Sequence, residues 1–268
     1  MNDVHARQQG SHPAKSGSGG KERVCVIFAA GDYFGMPAKI PRDAYVIAAD
    51  GGFDHCLSQH VHADIVMGDF DSITVDVPAG TESFHVPSEK DLTDTASAVA
   101  LGWEKGYRVF HIYGSLGGRL DHSIANMQLV AGLANHGGIG FLYGDDVVVT
   151  AIRNGSLTFP AFTCPERTML SVFSSSDASL GVYEKGLKYF LDNASLTNDH
   201  ANAVSNEFVS GVPSQISVET GTLLVTYASQ AEAPSWSTRV AQEATFDTIS
   251  TQVTSALNTP GNKNAHLV

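Results

Sequence analysis

The chain has 268 residues, 43% of them hydrophobic, and a formal net charge of -12 at pH 7. That length accommodates one large domain or two smaller ones, each with its own core, and the chain contains no run of the roughly 18 apolar residues that a membrane-spanning helix requires. The acidic excess lies in residues 24–228, where 23 Asp and Glu face ten Lys and Arg, which excludes nonspecific binding to nucleic acid.

Residues 1–22, rich in Gly, Ser and His, read as a disordered arm outside the fold. They lack the apolar segment of a secretory signal, so a cytoplasmic protein is expected. Cys25, Cys56 and Cys164 are widely spaced and form no CxxC pair. Neither a disulfide framework nor a thiolate zinc site is supported, and buried free thiols are expected.

From 23 to 152 the chain alternates short apolar, β-rich runs with helix-like stretches: VCVIFAA, YVIAAD, ADIVMGD, SFHVP, RVFHIYG, IGFLYG and VVVTAI. Continuous apolar runs of this kind predict an α/β domain with a doubly wound, mainly parallel sheet covered on both faces. One helix is expected to start between Asp91 and Asp94 with an apolar stripe of Leu92, Ala96, Val99 and Trp103. A second opens near Asp121, repeats Leu120, Ile124, Met127 and Val130, and stops around NHGG. From 153 to 228 the pattern changes to alternating strands with turn residues, which predicts an all-β sandwich. Residues 229–268 lose strand character and read as a tail of unknown role, with Phe246, Ile249, Val253 and Leu257 hinting at a helix.

Four clusters fall at or beyond strand ends in the α/β region: AADGG with Asp50, GDFDS with Asp69 and Asp71, EKDLTD with Lys90, Asp91 and Asp94, and GSLGGRLDH with Gly117, Gly118, Arg119 and Asp121. Singly, each passes as a turn, a cap or a loop. Jointly they mean more, because a doubly wound sheet brings neighbouring C-terminal strand ends to one crevice. Adjacent carboxylates repel unless something positive offsets them, and so many acids with only Lys90 and Arg119 nearby suit a divalent cation such as Mg2+. Gly117 and Gly118 would let a polyphosphate approach backbone N–H groups, with Arg119 offering a planar fork to its oxygens. The combination fits phosphoryl or pyrophosphoryl transfer. His111, in an apolar strand, reads as a packing residue, whereas His122 adjoins the Asp121 cluster. The chain has no HExxH, GxSxG, GxxxxGK[ST] or GxGxxG motif.

The ordered set ADGG, GDFDS, K-D-x-T-D and GGRLDH with Asn126 four residues on, then GLKY and VSNEF in a β-rich region, resembles the thiamine pyrophosphokinase family over residues 24–228. The resemblance implies an α/β catalytic domain and a β-sandwich, a homodimer with the active site between subunits, and transfer of pyrophosphate from ATP to the hydroxyl of thiamine. It implies that Asp69, Asp71 and Asp94 are Mg2+-binding and catalytic carboxylates. Asp50, Gly51, Gly52 and Lys90 would belong to the nucleotide side, with Gly117, Gly118 and Arg119 at the phosphates. Asp71 or Asp121 would accept the hydroxyl proton. Ser205 and Asn206 match the thiamine-binding stretch, and Lys188 and Tyr189 sit in the GLKY strand. A rival resemblance, the apolar strand and Asp-x-Asp of haloacid-dehalogenase phosphatases, has no use for GGRLDH or the β region. A non-catalytic nucleotide- or thiamine-binding module needs fewer buried charges than this chain carries.

Overall fold

A computed structural model describes residues 22–36, 40–70, 81–87, 91–247 and 249. The arm expected over 1–22 lies outside them but for its last residue, as do Asp71 and Lys90.

The apolar runs form strands where the pattern places them: β1 (Val24–Phe28), β2 (Tyr45–Ala49), β3 (Ile65–Gly68), β4 (Glu82–His85), β5 (Val109–Tyr113), β6 (Ile139–Tyr143) and β7 (Val147–Arg153). Between them lie α1 (Gly52–Ser58), α2 (Asp94–Glu104) and α3 (Leu120–Asn135). The first six strands are parallel, in the order β6-β5-β1-β2-β3-β4.

Chain direction explains where the helices go. The β2–α1–β3 crossover moves away from β1 on one side, and β5–α3–β6 moves away on the other. Right-handed crossovers in opposite directions put their helices on opposite faces. Accordingly, Phe53 and Cys56 of α1 pack on one face with Val26, Phe28 and Val46, whereas Val99 and Trp103 of α2 and Val130 and Leu133 of α3 pack on the other with Ile27, Ile47 and Ile112. The direction reverses between β1 and β5, where a ligand crevice belongs.

The sheet does not end at residue 152. A tight turn over 144–146 reverses the chain, so β7 pairs antiparallel with β6 and offers its other edge to β14 (Thr222–Ala228). β9 (Met169–Ser174) and β12 (Ala203–Glu207) continue beyond β14, giving a mixed ten-stranded sheet. The remaining strands, β8 (Gly155–Phe159), β10 (Ala178–Lys185), β11 (Leu191–Thr197), β13 (Ser214–Thr220) and β15 (Ser235–Thr238), make a second sheet ordered β11-β10-β13-β8-β15. A two-sheet packing is present, as expected for 153–228, but one of its layers is the extension of the α/β sheet. Phe159, Val182, Ile216 and Val218 meet Leu170, Val172, Leu223 and Val225 in one core with the α1 face.

The segment from 229 also departs from expectation. β15 is a short edge strand whose only apolar side chain is Trp236, half-buried against the core, and so weak an alternation does not announce a strand. The chain then crosses to the helix face, where Trp103 Nε1 donates to the Glu243 carbonyl at 3.1 Å and Phe246 meets the rings of Trp103 and His136 at 5.4 and 5.1 Å. Phe246 and Ile249 lie outside any helix, and Val253 and Leu257 lie outside the described residues.

The stripe expected on α3 is out of phase at its start. Leu120 is 72% exposed and Ile124 faces solvent too, while Ser123, Asn126, Val130, Leu133 and Ala134 are buried. The first turn projects beyond the sheet, so polar side chains turn inward there to hold the adjoining loop. Cys25 and Cys56 are buried free thiols, as expected, and Cys164 is half-buried. Among the described residues, no helix is long and apolar enough to cross a membrane.

Candidate functional site

The reversal point holds a cleft of about 430 Å3. Its walls come from the segments leaving β1 (Ala29–Asp32), β2 (Ala49 and Asp50) and β5 (Gly114, Ser115, Gly117, Gly118, Arg119), from the start of α2 (Thr93–Thr95), and from His122 and Asn126 of α3. Asp50, Asp94, Gly117, Gly118 and Arg119, which the sequence pattern singles out from separate clusters, therefore meet in one place.

Each is held by local chemistry. Asp50 takes a left-handed backbone conformation (φ +50°), its N–H donating to the Met67 carbonyl at 2.7 Å, and this ties the end of β2 to β3. Only 7% exposed, it keeps its Oδ1 buried with no hydrogen-bond partner among the described residues. Asp94 opens α2 behind Thr93, whose Oγ1 caps the helix by accepting from Ala96 N–H at 3.2 Å. Gly117 and Gly118 both have positive φ (+88° and +58°), a path that side chains strongly disfavour. Ser123 Oγ reaches the Gly117 and Arg119 carbonyls, and Asn126 Nδ2 donates to the Ser115 carbonyl at 2.7 Å. The buried polar face of α3 thus fixes the glycine loop.

Arg119 precedes α3 and forms a two-pronged pair with Asp121, Nη2 to Oδ2 at 2.6 Å and Nε to Oδ1 at 3.1 Å. The guanidinium holds the exposed Asp121 carboxyl down to about 2, helped by the His122 N–H. His122 lines the cleft, while His111 stacks between Phe141 and Tyr143 with its Nδ1 2.6 Å from Tyr143 Oη, and burial lowers its pKa to about 4. His111 is a neutral packing residue.

Other expected residues lie elsewhere. Asp69 follows β3, half-buried, beside the cleft rather than among the described residues that line it, and Asp91 is exposed ahead of α2. Gly51 is the N-cap of the seven-residue α1, and a Cβ at Gly52 would lie 1.9 Å from the Phe28 carbonyl oxygen. Gly52 lets α1 close onto β1.

Ser205 and Asn206 sit on β12, away from the cleft-lining residues. Ser205 is exposed with φ +61°, and its N–H donates to Ser171 Oγ. Asn206 is 4% exposed and uses all of its hydrogen-bonding capacity internally. Its Nδ2 donates to Glu184 Oε2 and the Tyr189 carbonyl, and its Oδ1 accepts from the N–H groups of Tyr189 and Glu207. It thereby clamps the GLKY loop, whose Lys188 pairs with Glu207 at 2.8 Å and whose Tyr189 and Phe190 are exposed.

Glu184 is 2% exposed, and burial pushes its carboxyl above the usual range against the pull of the Asn206 bond. The folded state therefore retains a proton that the unfolded chain releases. Its contribution to stability is full below about pH 4.3 and is lost as pH rises through the folded value. Glu184→Gln should accordingly gain stability relative to the native chain as pH rises from about 4 to 7, measured by urea unfolding. A difference constant across that range would show an ordinary pKa at Glu184.

The sequence reading overlooked Asp32, which lines the cleft, and Phe34, whose ring tip lies beside Gly117. Both follow β1 in AAGDYFG, and attention to the end of β1, as to the ends of β2, β3 and β5, would have found them.

The chain is thus of the α/β class, with a reversal-point cleft lined by acids, a glycine pair and one arginine, and its sheet continues into a two-sheet β packing. Residues 38–138 match the family model described as thiamin pyrophosphokinase, catalytic domain. The thiamine pyrophosphokinase of Bacillus subtilis (strain 168) is 40% identical over 68 residues, 24% of this chain and 32% of that protein, so the sequence match spans about a third of this curated relative. The crystal structure of thiamine pyrophosphokinase from Bacillus subtilis shares the fold with a TM-score of 0.69 at 22% identity, covering 77% of this chain and 99% of that one. Thiamin pyrophosphokinase from Candida albicans shares it at a TM-score of 0.60 and 12% identity, covering 77% and 89%.

Proposed function

We propose that the chain is an ATP-dependent thiamine diphosphokinase of the cytoplasm, which transfers pyrophosphate from ATP to the hydroxyl of thiamine and releases AMP. The carrying observation is the convergence of Asp50, Asp94, Gly117, Gly118 and Arg119 in one cleft, within the segment that matches the family's catalytic domain. In this reading the α/β half is a doubly wound nucleotide-binding unit and residues 153–228 present the acceptor.

The residues fit Mg2+. Asp50 Oδ1 is a buried oxygen with no hydrogen-bond partner among the described residues, in a cleft that Asp94 also lines. Among the described residues no three potential ligands form a metal centre by themselves, which accords with an ion that takes one or two carboxylates and completes its shell with water and phosphate. Asp94 and Asp50 would hold it, joined by Asp69 and Asp71 of GDFDS. When bound, the cation neutralises polyphosphate charge and polarises its oxygens.

The chain's own residues do the rest. The thiamine oxygen forms a bond to the β-phosphorus of ATP as the bond from that phosphorus to the bridging oxygen breaks, and AMP leaves with the electron pair. Arg119 exchanges Asp121 for the phosphates as negative charge moves toward AMP. Once Arg119 has turned to the phosphates, Asp121 loses the partner that holds its carboxyl low, so Asp71 and Asp121 are both acceptors for the hydroxyl proton. Gly51 and Gly52 shape the turn that sets Asp50 in the cleft, and Lys90 would meet the nucleotide. Ser205, with the loop clamped by Asn206, faces thiamine from the β region.

Two exposed apolar surfaces support a homodimer with sites between subunits: Leu120 and Ile124 on the first turns of α3, and Tyr189 and Phe190, the latter 77% exposed, on the β region. Light scattering should give a dimer, and Phe190→Glu a monomer with little turnover. A monomeric native chain with full activity would overturn the shared site. The activity itself is tested by incubating the protein with ATP, thiamine and Mg2+ and separating the products. AMP formed mole for mole with thiamine diphosphate, and abolished by EDTA, is expected. Phosphate without AMP would make it a phosphohydrolase, and ligand binding without turnover a non-catalytic module.

A further inference from the structure

We propose that Asp32 and Phe34 hold the nucleoside end of the nucleotide, Asp32 by accepting hydrogen bonds from the ribose hydroxyls and Phe34 by stacking on the base. This rests on the reading that the cleft takes ATP, and both residues precede the segment that the family's catalytic domain matches.

The loop leaving β1 is anchored by the residue between them. Tyr33 turns inward, its ring 6.0 Å from that of Phe28 and 3.6 Å from that of His55, and its hydroxyl donates to the Ala29 carbonyl at 3.1 Å. Gly31 N–H donates to the Gly114 carbonyl at 2.9 Å, which stitches the loop to the end of β5. In extended chain, alternate side chains point to opposite sides. With Tyr33 in the core, Asp32 and Phe34 both reach Gly117. A Cβ added at Gly117 would lie 3.0 Å from Asp32 Oδ2 and 3.0 Å from the tip of the Phe34 ring, and one at Gly118 would lie 3.5 Å from the same carboxylate oxygen. The rim thus carries an exposed carboxylate and an exposed aromatic ring on one backbone that has no side chains of its own.

Charge selects what such a pair can bind. A carboxylate beside the glycine pair repels a phosphate group placed against it, so the phosphates belong on the side of the buried Asp50 and its cation, and not against Gly117 and Gly118 as the sequence pattern suggests. A cation held by Asp50 and Asp94 completes its shell with water and phosphate, so it does not call on Asp32 at the rim. Neutral hydroxyl donors remain, and a vicinal diol offers two of them to one carboxylate. An exposed phenyl ring stacks on any base, which places the base at the rim and the phosphates inside.

Calorimetric titration in Mg2+ without thiamine tests this on the full chain, with three probes: ATP, 2′,3′-dideoxy-ATP and inorganic tripolyphosphate. Phe34→Ala should weaken ATP by about 10-fold while leaving tripolyphosphate unchanged. Asp32→Asn and Asp32→Ala should each weaken ATP by a similar factor, have no effect on the dideoxy nucleotide, and leave tripolyphosphate bound as well as before or more tightly. Equal losses for ATP and tripolyphosphate would assign Asp32 to the cation or the phosphates and overturn the proposal, as would unchanged ATP affinity in all three variants. If the native chain binds tripolyphosphate but discriminates nothing between it and ATP, the nucleotide reading itself falls.

Discussion

Asp50→Asn is expected to lower kcat/KM for pyrophosphoryl transfer by about 100-fold or more without lowering Tm. The two halves of that expectation have separate causes. Asn tolerates the left-handed backbone that Asp50 adopts (φ +50°), so the tie between β2 and β3 through the Asp50 N–H survives. The charge does not survive, and the buried Oδ1 that lacks a partner among the described residues is the group best placed to meet a cation. Asn keeps the size and shape of the side chain, so the packing around position 50 is retained. Asp50→Ala makes the control, since alanine at that backbone angle costs about 1–2 kcal/mol and should lower activity and stability together. Steady-state kinetics over a Mg2+ titration, with thermal melts of both variants, provide the measurement. Near-native activity in Asp50→Asn would remove Asp50 from the cation site.

The α/β half was readable because its strands are buried on both faces and therefore appear as unbroken apolar runs. Parallel order and the position of the cleft follow from that and from the handedness of crossovers. Two things could not be read in the same way. Alternation shows that a strand has two different faces but does not name its neighbours, so nothing in TLLVTYA tells that β14 joins the α/β sheet while QISVET, just before it, joins the other. Polar residues were likewise assigned by company rather than by burial. Asp50 and Asp94 came from different motifs and do meet, whereas Gly52 stands among the same motifs for a packing reason, the close approach to the Phe28 carbonyl. Asp32 and Phe34 stand in no acidic cluster, and only the shape of the loop after β1 brings them to Gly117.

Asn206 is the sharpest case, and Asn206→Ala should lower stability by about 3 kcal/mol, a fall in Tm of roughly 6–12 °C. Alanine removes both donors and both acceptor bonds at once. Tyr189 and Glu207 lie near solvent, so their freed backbone groups find water at modest cost. Glu184 is different: 2% exposed, it already has one oxygen without a partner among the described residues, and the substitution strips the other. The carboxyl then escapes most of the penalty only by holding its proton, so the destabilisation should grow from acid toward neutral pH. Adding Glu184→Leu should recover part of the loss, because replacing both partners of a buried polar pair with apolar side chains is far milder than orphaning one. The double variant separates structure from function. With Glu184 gone and stability partly restored, the Tyr189–Phe190 loop is still unclamped, so KM for thiamine should stay raised while KM for ATP stays native. Full recovery of thiamine KM along with stability would mean that the clamp serves the fold alone, and that the acceptor is held by other residues.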